Sequence, residues 1–178
     1  MYKDINGNKK VLEIDISGQI QQINYDSVIG CRRHNGIERT AYLSSKIKKE
    51  ILKEYKGQVT DLIEKLHCIL VYYCIKDKLE NVKEIKICQD VSFRRLKNLL
   101  PFLFKHQKSE DFCGLKIFVK IFKDKNYLQD ISINQREGLE PKSGAHRVAL
   151  KAFRKKRYAD IIITKEMIED VLLEFKRK

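Results

Sequence analysis

The sequence contains no tryptophan and only two prolines, and its five cysteines include no Cys-x-x-Cys pair. It has no run of 18 apolar residues, and the N-terminal MYKDINGNKK lacks the apolar centre of a secretory signal. A zinc site, a disulfide framework and a membrane span are therefore not expected. The composition predicts a cytoplasmic protein whose cysteines are reduced and act as small, buried apolar residues.

Basic residues outnumber acidic residues by 37 to 24, and they are spread over nearly every segment of the chain. The net charge of +13 favours an acidic partner, and nucleic acid is the leading candidate because Lys and Arg neutralise phosphates. A heat-adapted or AT-rich genome gives a similar composition, rich in Lys, Glu and Ile, without any nucleic-acid role. The length of 178 residues, 43% of them hydrophobic, predicts one domain over residues 1–178.

The first half of the chain is predicted to form an antiparallel meander of three strands, followed by two helices. The strands are expected at residues 10–16, 25–33 and 37–43. Asn35-Gly36, between the second and third strands, is the strongest short hairpin signal. The helices are expected at 46–56 and 60–76, and the second is apolar on two sides, which is typical of a helix packed between layers.

The second half of the chain is predicted to alternate strands and helices. Strands are expected at residues 83–90 and 115–122 and in ADIIIT, and helices at 92–104, 145–158 and 165–178. Pro101 is expected to kink or shorten the first of these helices. Residues 126–134 suit either another short strand or a loop.

Two of the predicted strands carry an aspartate near their end: Asp15 in VLEIDISG and Asp90 in KEIKICQD. Turn chemistry explains either one alone, because Asp and Ser bond to nearby backbone and Gly accepts a positive φ. Glu64 lies in line with a buried stripe of the second helix, where a carboxylate is costly unless it is paired or bound to metal. The alternative is a surface glutamate in a first helical turn, stabilised by the helix dipole.

The predicted order of elements, β-β-β-α-α-β-α-β-(β)-α-β-α, resembles the ribonuclease H-like fold. IDISG, residues 14–18, is the one local motif, and the resemblance covers about residues 10–158. It implies an α/β protein with a ribonuclease H-like mixed sheet, in which three antiparallel strands are followed by βαβ additions, and with helices on both faces. Residues 159–178 would then be a C-terminal extension of one strand and one helix.

The resemblance also implies a site. In that family the first strand, the first core helix and the end of the fourth strand carry acidic residues, and the matching positions here are Asp15, Glu64 and Asp90. Clustered carboxylates repel one another unless a cation is present, so the cluster is expected to bind Mg²⁺ or Mn²⁺. Two such ions would activate a water and stabilise the leaving oxygen in phosphodiester hydrolysis.

The sequence departs from the family in its last core helix, because SGAHRVALKAFRKKRY contains no acidic residue. His146 near its start is a candidate metal ligand or general acid/base, although a lone histidine there is more often structural. Asp160, which enters an Ile-rich run, is the other substitute. Glu50 and Glu54 are lower-ranked alternatives to Glu64.

Basic residues on the two helices after Asp90 and His146, and at the expected hairpin tip, are predicted to hold a phosphate backbone unless they form solvated faces. They are Arg32, Arg33, Arg94, Arg95, Lys97, Arg147, Arg154, Lys155 and Arg157. The leading prediction is a metal-dependent nuclease acting on RNA, an RNA–DNA hybrid or structured DNA. The second is a non-catalytic nucleic-acid-binding or assembly protein with a decayed site. An enzyme acting on a small phosphorylated substrate ranks third, because no glycine-rich phosphate loop occurs.

Overall fold

The computed structural model describes residues 11–33, 36, 38–79, 82, 84–88, 93–106, 118–122 and 144–176. The strands in this part of the chain are β1 Val11–Ser17, β2 Ser27–Arg33, β3 Glu38–Leu43, β4 Glu84–Cys88, β5 Phe118–Phe122 and β6 Ile161–Ile162. The α-helices are α1 Ser45–Tyr55, α2 Leu62–Ile75, α3 Phe93–His106, α4 Gly144–Arg154 and α5 Lys165–Lys176. A 3₁₀ helix, Lys156–Tyr158, lies between α4 and β6.

The six strands form one mixed sheet in the order β5-β4-β1-β2-β3-β6. β1, β2 and β3 are antiparallel neighbours, which confirms the predicted meander. β4 lies parallel to β1, β5 parallel to β4, and β6 parallel to β3. The protein is therefore an α/β protein, and the strand that carries Asp15 lies in the interior of its sheet.

The sheet has two chemically different faces, because side chains alternate along a strand and residues paired across strands share a face. Ile14 pairs with Cys31, and these residues lie on the side that we call the apolar face. Asp15 pairs with Gly30, and Gly30 pairs with Thr40, on the side that we call the polar face.

The apolar face is covered by α2, whose Cys74 Sγ lies 3.5 Å from the carbonyl oxygen of Arg39 and 4.0 Å from that of Ile29. α3 and α5 also contact α2. The apolar core is continuous through all these layers and includes Ile51 of α1. α2 is thus packed between layers, as its two apolar sides predict.

The polar face is covered by α4, which presents small side chains to the sheet. Ala145, Ala149 and Ala152 are fully buried, whereas the basic side chains of this helix point outward as predicted. A Cβ atom at Gly30 would lie 2.6 Å from the carbonyl oxygen of Ala145, so the helix backbone rests directly on β2. Helices therefore lie on both faces of the sheet.

The structure differs from the sequence predictions at two helices. α3 continues through Pro101 to His106, so the expected shortening is wrong. Burial of Leu96, Leu100 and Leu103 on one side of this helix outweighs the hydrogen bond that the proline removes. α4 ends at Arg154, and the segment after it tightens into the 3₁₀ helix.

Other predictions concern the cysteines, the membrane and the chain after α3. Cys31, Cys68 and Cys74 are free cysteines, and their burial is as predicted. Among the described residues, none of the helices is long and apolar enough to cross a membrane. The prediction for residues 126–134 lies outside the described part of the chain.

Candidate functional site on the polar face

Asp15 is a buried carboxylate inside the sheet. The residue is 5% exposed, and its Oδ1 accepts a hydrogen bond of 2.7 Å from the backbone N–H of Ile16. β1 continues to Ser17 and pairs with β2 at Asp15 itself. The side chain therefore belongs to the strand and not to the turn that follows it.

His146 reaches Asp15 from the first turn of α4. Its Nδ1 lies 3.3 Å from Oδ2 of Asp15, and its side chain is 18% exposed. The pair is thus buried on the aspartate side and open to solvent on the histidine side. We call these two residues the Asp15–His146 pair.

Two glycines of the sheet allow α4 to lie close enough to form this pair. Gly30 lies under Ala145 and Ala149 near the start of the helix. Gly18 ends β1 with a φ of +73°, and a Cβ there would lie 2.8 Å from Cε2 of Phe153 and 2.0 Å from the carbonyl oxygen of Asp26. The glycine of the IDISG motif therefore provides both the turn and the space for α4.

Lys48 fixes the connection between β1 and β2. It is fully buried, and its Nζ donates to the carbonyl oxygens of Gln19 and Gln22, at 3.3 and 2.9 Å, and to Oγ of Ser27 at 2.7 Å. Burial lowers the pKa of Lys48 to about 8, and the negative charge of Asp26 opposes this shift. The sequence did not single out this lysine, because its spacing alone assigns it to a helix surface.

Glu64, in the first turn of α2, forms an ion pair with Arg95 of α3. Its Oε1 accepts a hydrogen bond of 2.8 Å from Arg95, whose guanidinium also lies 3.1 Å from Oδ1 of Asp61. Within the described residues, no group of three His, Cys, Asp or Glu side chains is arranged to hold a metal ion. Arg95 was predicted to contact phosphates, and here it joins the first turns of α2 and α3.

Asp90 lies outside the described residues, as do the side chains of Arg94 and Lys97. The register places Ile14 of β1 beside Ile87 of β4, and β4 ends at Cys88. The first and fourth strands are therefore neighbours, whereas the position of Asp90 stays a prediction.

Asp160 lies at the other side of the polar face. Its Oδ2 accepts hydrogen bonds from the backbone N–H and the hydroxyl of Thr40, at 2.8 and 2.9 Å, and its own N–H donates to that hydroxyl at 2.9 Å. Thr40 is two strands from Asp15, which corresponds to roughly 10 Å at the usual strand spacing. These bonds tie β6 to β3 and account for Asp160 without a metal.

The predicted basic residues divide into two groups. Arg32 and Arg33 were expected at a hairpin tip, and they are the last two residues of β2, where Arg32 pairs with Glu38 at the start of β3. Nε of Arg32 lies 3.5 Å from Oε1 of Glu38. The second group is exposed and lies along α4 and the 3₁₀ helix. It comprises Arg147, Arg154, Lys155 and Arg157.

His67 of α2 is a buried histidine that the sequence analysis did not select. It is 1% exposed, and neither ring nitrogen has a hydrogen-bond partner among the residues that the structure describes. Burial lowers its pKa to about 4, although the charge of Asp15 opposes that shift. The imidazole is therefore neutral at pH 7. Its position in the apolar run LHCILV was the signal available in the sequence.

Comparison of the chain with protein-family models, with curated proteins and with solved structures finds no match.

Proposed function

We propose that the protein is a divalent-metal-dependent nuclease of the ribonuclease H-like class, with the Asp15–His146 pair at its centre. The observation that carries the proposal is a buried carboxylate on β1, between parallel β4 and antiparallel β2, that faces a histidine of the helix above it. The strand order β5-β4-β1-β2-β3 supports the resemblance stated for the sequence. β6 and α5 are then the expected C-terminal additions.

The carboxylate of Asp15 suits a hard divalent cation, because carboxylate oxygens bind both Mg²⁺ and Mn²⁺. A second ligand is expected from Asp90, which follows the strand beside β1. When bound, the metal would polarise a phosphodiester and activate a water.

His146 would move the proton in this reaction. Asp15 orients the ring through Nδ1, at 3.3 Å, so proton exchange with the substrate would take place at Nε2 on the other side of the ring. The close contact of α4 with Gly30 fixes this geometry, because neither β1 nor α4 can shift without disturbing that contact. The basic surface of α4 would then bind the substrate's phosphates.

The test is a cleavage assay with Mg²⁺ or Mn²⁺ on single-stranded RNA, an RNA–DNA hybrid and branched DNA. Asp15→Asn is expected to reduce cleavage by at least about 10²-fold, the scale of a lost catalytic group. The matched control is Asp170→Asn, which makes the same chemical change at an exposed position on α5 and should leave cleavage unchanged. His146→Ala should also change the pH profile. Equal activity of wild type and Asp15→Asn would refute the proposal.

One observation favours a second function, a nucleic-acid-binding protein without catalysis. Arg95 neutralises Glu64, so a carboxylate that a two-metal site would use is already paired. This function requires metal-independent binding of nucleic acid with no cleavage of any of the three substrates. In that case Arg95→Ala, which releases Glu64, should not restore cleavage.

A further inference from the structure

A dense group of cations lies at the far end of α4 from His146. Five of the seven residues at positions 151–157 are basic, and all five are exposed: Lys151, Arg154, Lys155, Lys156 and Arg157. We call them the α4 basic cluster. No carboxylate of the described residues forms an ion pair with any of them, whereas Arg32, Arg39, Arg95 and Lys165 elsewhere are paired.

Tyrosine rings contact three of these five cations without neutralising them. Nζ of Lys151 lies 4.5 Å from the ring centre of Tyr158, and the guanidinium of Arg157 lies 5.0 Å from it. Nζ of Lys156 lies 5.1 Å from the ring centre of Tyr42. A cation over an aromatic face keeps its charge, so the cluster is ordered and still available to an anion. Tyr158 remains 40% exposed.

His146 of the pair and Lys151 and Arg154 of the cluster lie on one helix. At the helical rise of 1.5 Å per residue, Lys151 lies about 8 Å and Arg154 about 12 Å along the axis from His146. Arg147, Lys151 and Arg154 have the spacing of neighbours on one helix face, and all three are exposed. A line of positive charge therefore connects the pair to the cluster.

We infer that the α4 basic cluster binds single-stranded nucleic acid: the cations hold the phosphates of the strand as it leaves the Asp15–His146 pair, and a base stacks on Tyr158 in place of the flexible Lys151 or Arg157 side chain that lies over the ring. An exposed aromatic ring among cations is the arrangement that binds single strands without sequence preference, because every base has a face that can stack. A duplex offers phosphates but no exposed base face. The choice of nucleic acid rests on the proposed function, but the strand is held by this surface whether or not it is cleaved.

The test measures binding in EDTA, where cleavage is suppressed, by fluorescence anisotropy with a fluorescein-labelled oligo-dT of about 15 nucleotides. Lys151→Gln/Arg154→Gln/Lys155→Gln should weaken binding at least about tenfold at moderate salt. The matched control, Lys46→Gln/Lys49→Gln/Lys53→Gln, removes three charges from exposed positions on α1 and should weaken binding less than about twofold. Equal weakening in both variants would overturn the proposal, because it would show an effect of net charge alone.

Substitutions of Tyr158 distinguish binding of a single strand from binding of phosphates alone. Tyr158→Ala should weaken binding of oligo-dT about fivefold or more and leave binding of a duplex of the same length within about twofold, while Tyr158→Phe should bind like the wild type. An equal loss on the duplex would overturn the stacking role. Binding to vesicles rich in phosphatidylserine, with none to oligo-dT, would overturn the choice of partner. Retained oligo-dT binding in a chain that cleaves nothing would refute the proposed nuclease and leave this inference standing.

Discussion

The two faces of the sheet differ in how their helices are packed. On the apolar face, large buried side chains of β1, β2 and α2 fill the space between strand and helix. On the polar face, the row of Asp15, Gly30 and Thr40 lies under α4, which contributes buried alanines. A helix that makes its contacts through small side chains buries less apolar area, and so contributes less stabilisation than a helix packed through leucines.

Stability and chemistry are therefore separated between the two faces, with stability on the apolar face and the candidate site on the polar face. Many buried methyl groups on the apolar face give the strands fixed positions. The polar face can then keep a carboxylate, a histidine and two glycines where they would otherwise weaken the structure. We expect substitutions on the apolar face to change the free energy of unfolding, and those on the polar face to change mainly the site.

The largest expected effect is on the apolar face. Leu70→Ala, at a fully buried position of α2, should lower the free energy of unfolding by about 2–5 kcal/mol, because it leaves a cavity. Leu173→Ala, at a 48% exposed position of α5, is the matched control and should change it by less than about 0.5 kcal/mol. Urea denaturation measures both. Similar values for the two variants would mean that the packing of α2 does not stabilise the core.

His67 makes the stability of the chain depend on pH. Its pKa is about 4 in the folded chain and 6.5 ordinarily, so the unfolded chain binds the additional proton between these values and stability falls as pH is lowered. The loss should be on the order of 3 kcal/mol between pH 7 and pH 4. In His67→Leu this part of the pH dependence should vanish, as measured by urea denaturation at several pH values. A pH dependence identical to that of the wild type would show that His67 is not buried and neutral.

Gly30 tests the contact between α4 and the sheet. Gly30→Ala would place a methyl group 2.6 Å from the backbone of Ala145 and Ala149, so α4 must move, at a cost of about 1–3 kcal/mol and with loss of the Asp15–His146 contact. Gly144→Ala is the contrasting variant, because the three atoms nearest to its added Cβ all belong to the flexible side chain of Arg32. Gly30→Ala should therefore have a lower Tm and a lower rate of cleavage than Gly144→Ala. Tolerance of Gly30→Ala in both assays would contradict the close packing.

Substitution of Asp160 should have the smallest effect on stability and on cleavage. Asp160→Asn keeps an acceptor for the two hydrogen bonds from Thr40, so the free energy of unfolding should change by less than about 1 kcal/mol. Cleavage should remain close to that of the wild type, in contrast to Asp15→Asn. A loss of cleavage as large as that of Asp15→Asn, without loss of stability, would place Asp160 in the site.

Much of the fold could be predicted because it follows local rules. Strand alternation, the hairpin signal of Asn35-Gly36 and the cap of Ser44 on α1 are all properties of neighbouring residues. β1 and α4 were correctly selected as the elements that carry Asp15 and His146. The contact between those two residues did not follow, because it depends on how closely α4 approaches the sheet.

The errors and omissions concern residues whose partners are distant in sequence. Asp160 was considered for the site, but its contact with Thr40 arises only when β6 joins β3. Glu64 meets Arg95 because the first turns of α2 and α3 lie side by side. Lys48 and His67 are buried by packing that their own helices do not encode. Charge and periodicity identified Asp160 and Glu64 but not Lys48 or His67, and the partners of all four residues are decided by tertiary structure.

The central claim, that Asp15 belongs to a divalent-metal site on the polar face, is tested most directly by thermal melting with and without Mn²⁺. At 100 times the dissociation constant, a ligand of the native state stabilises it by about 2.7 kcal/mol, which raises the Tm of a chain of this size by about 5–10 °C. We predict this increase for the wild type and for Asp170→Asn, and none for Asp15→Asn. An equal increase for Asp15→Asn and the wild type, or no increase in either, would contradict the claim.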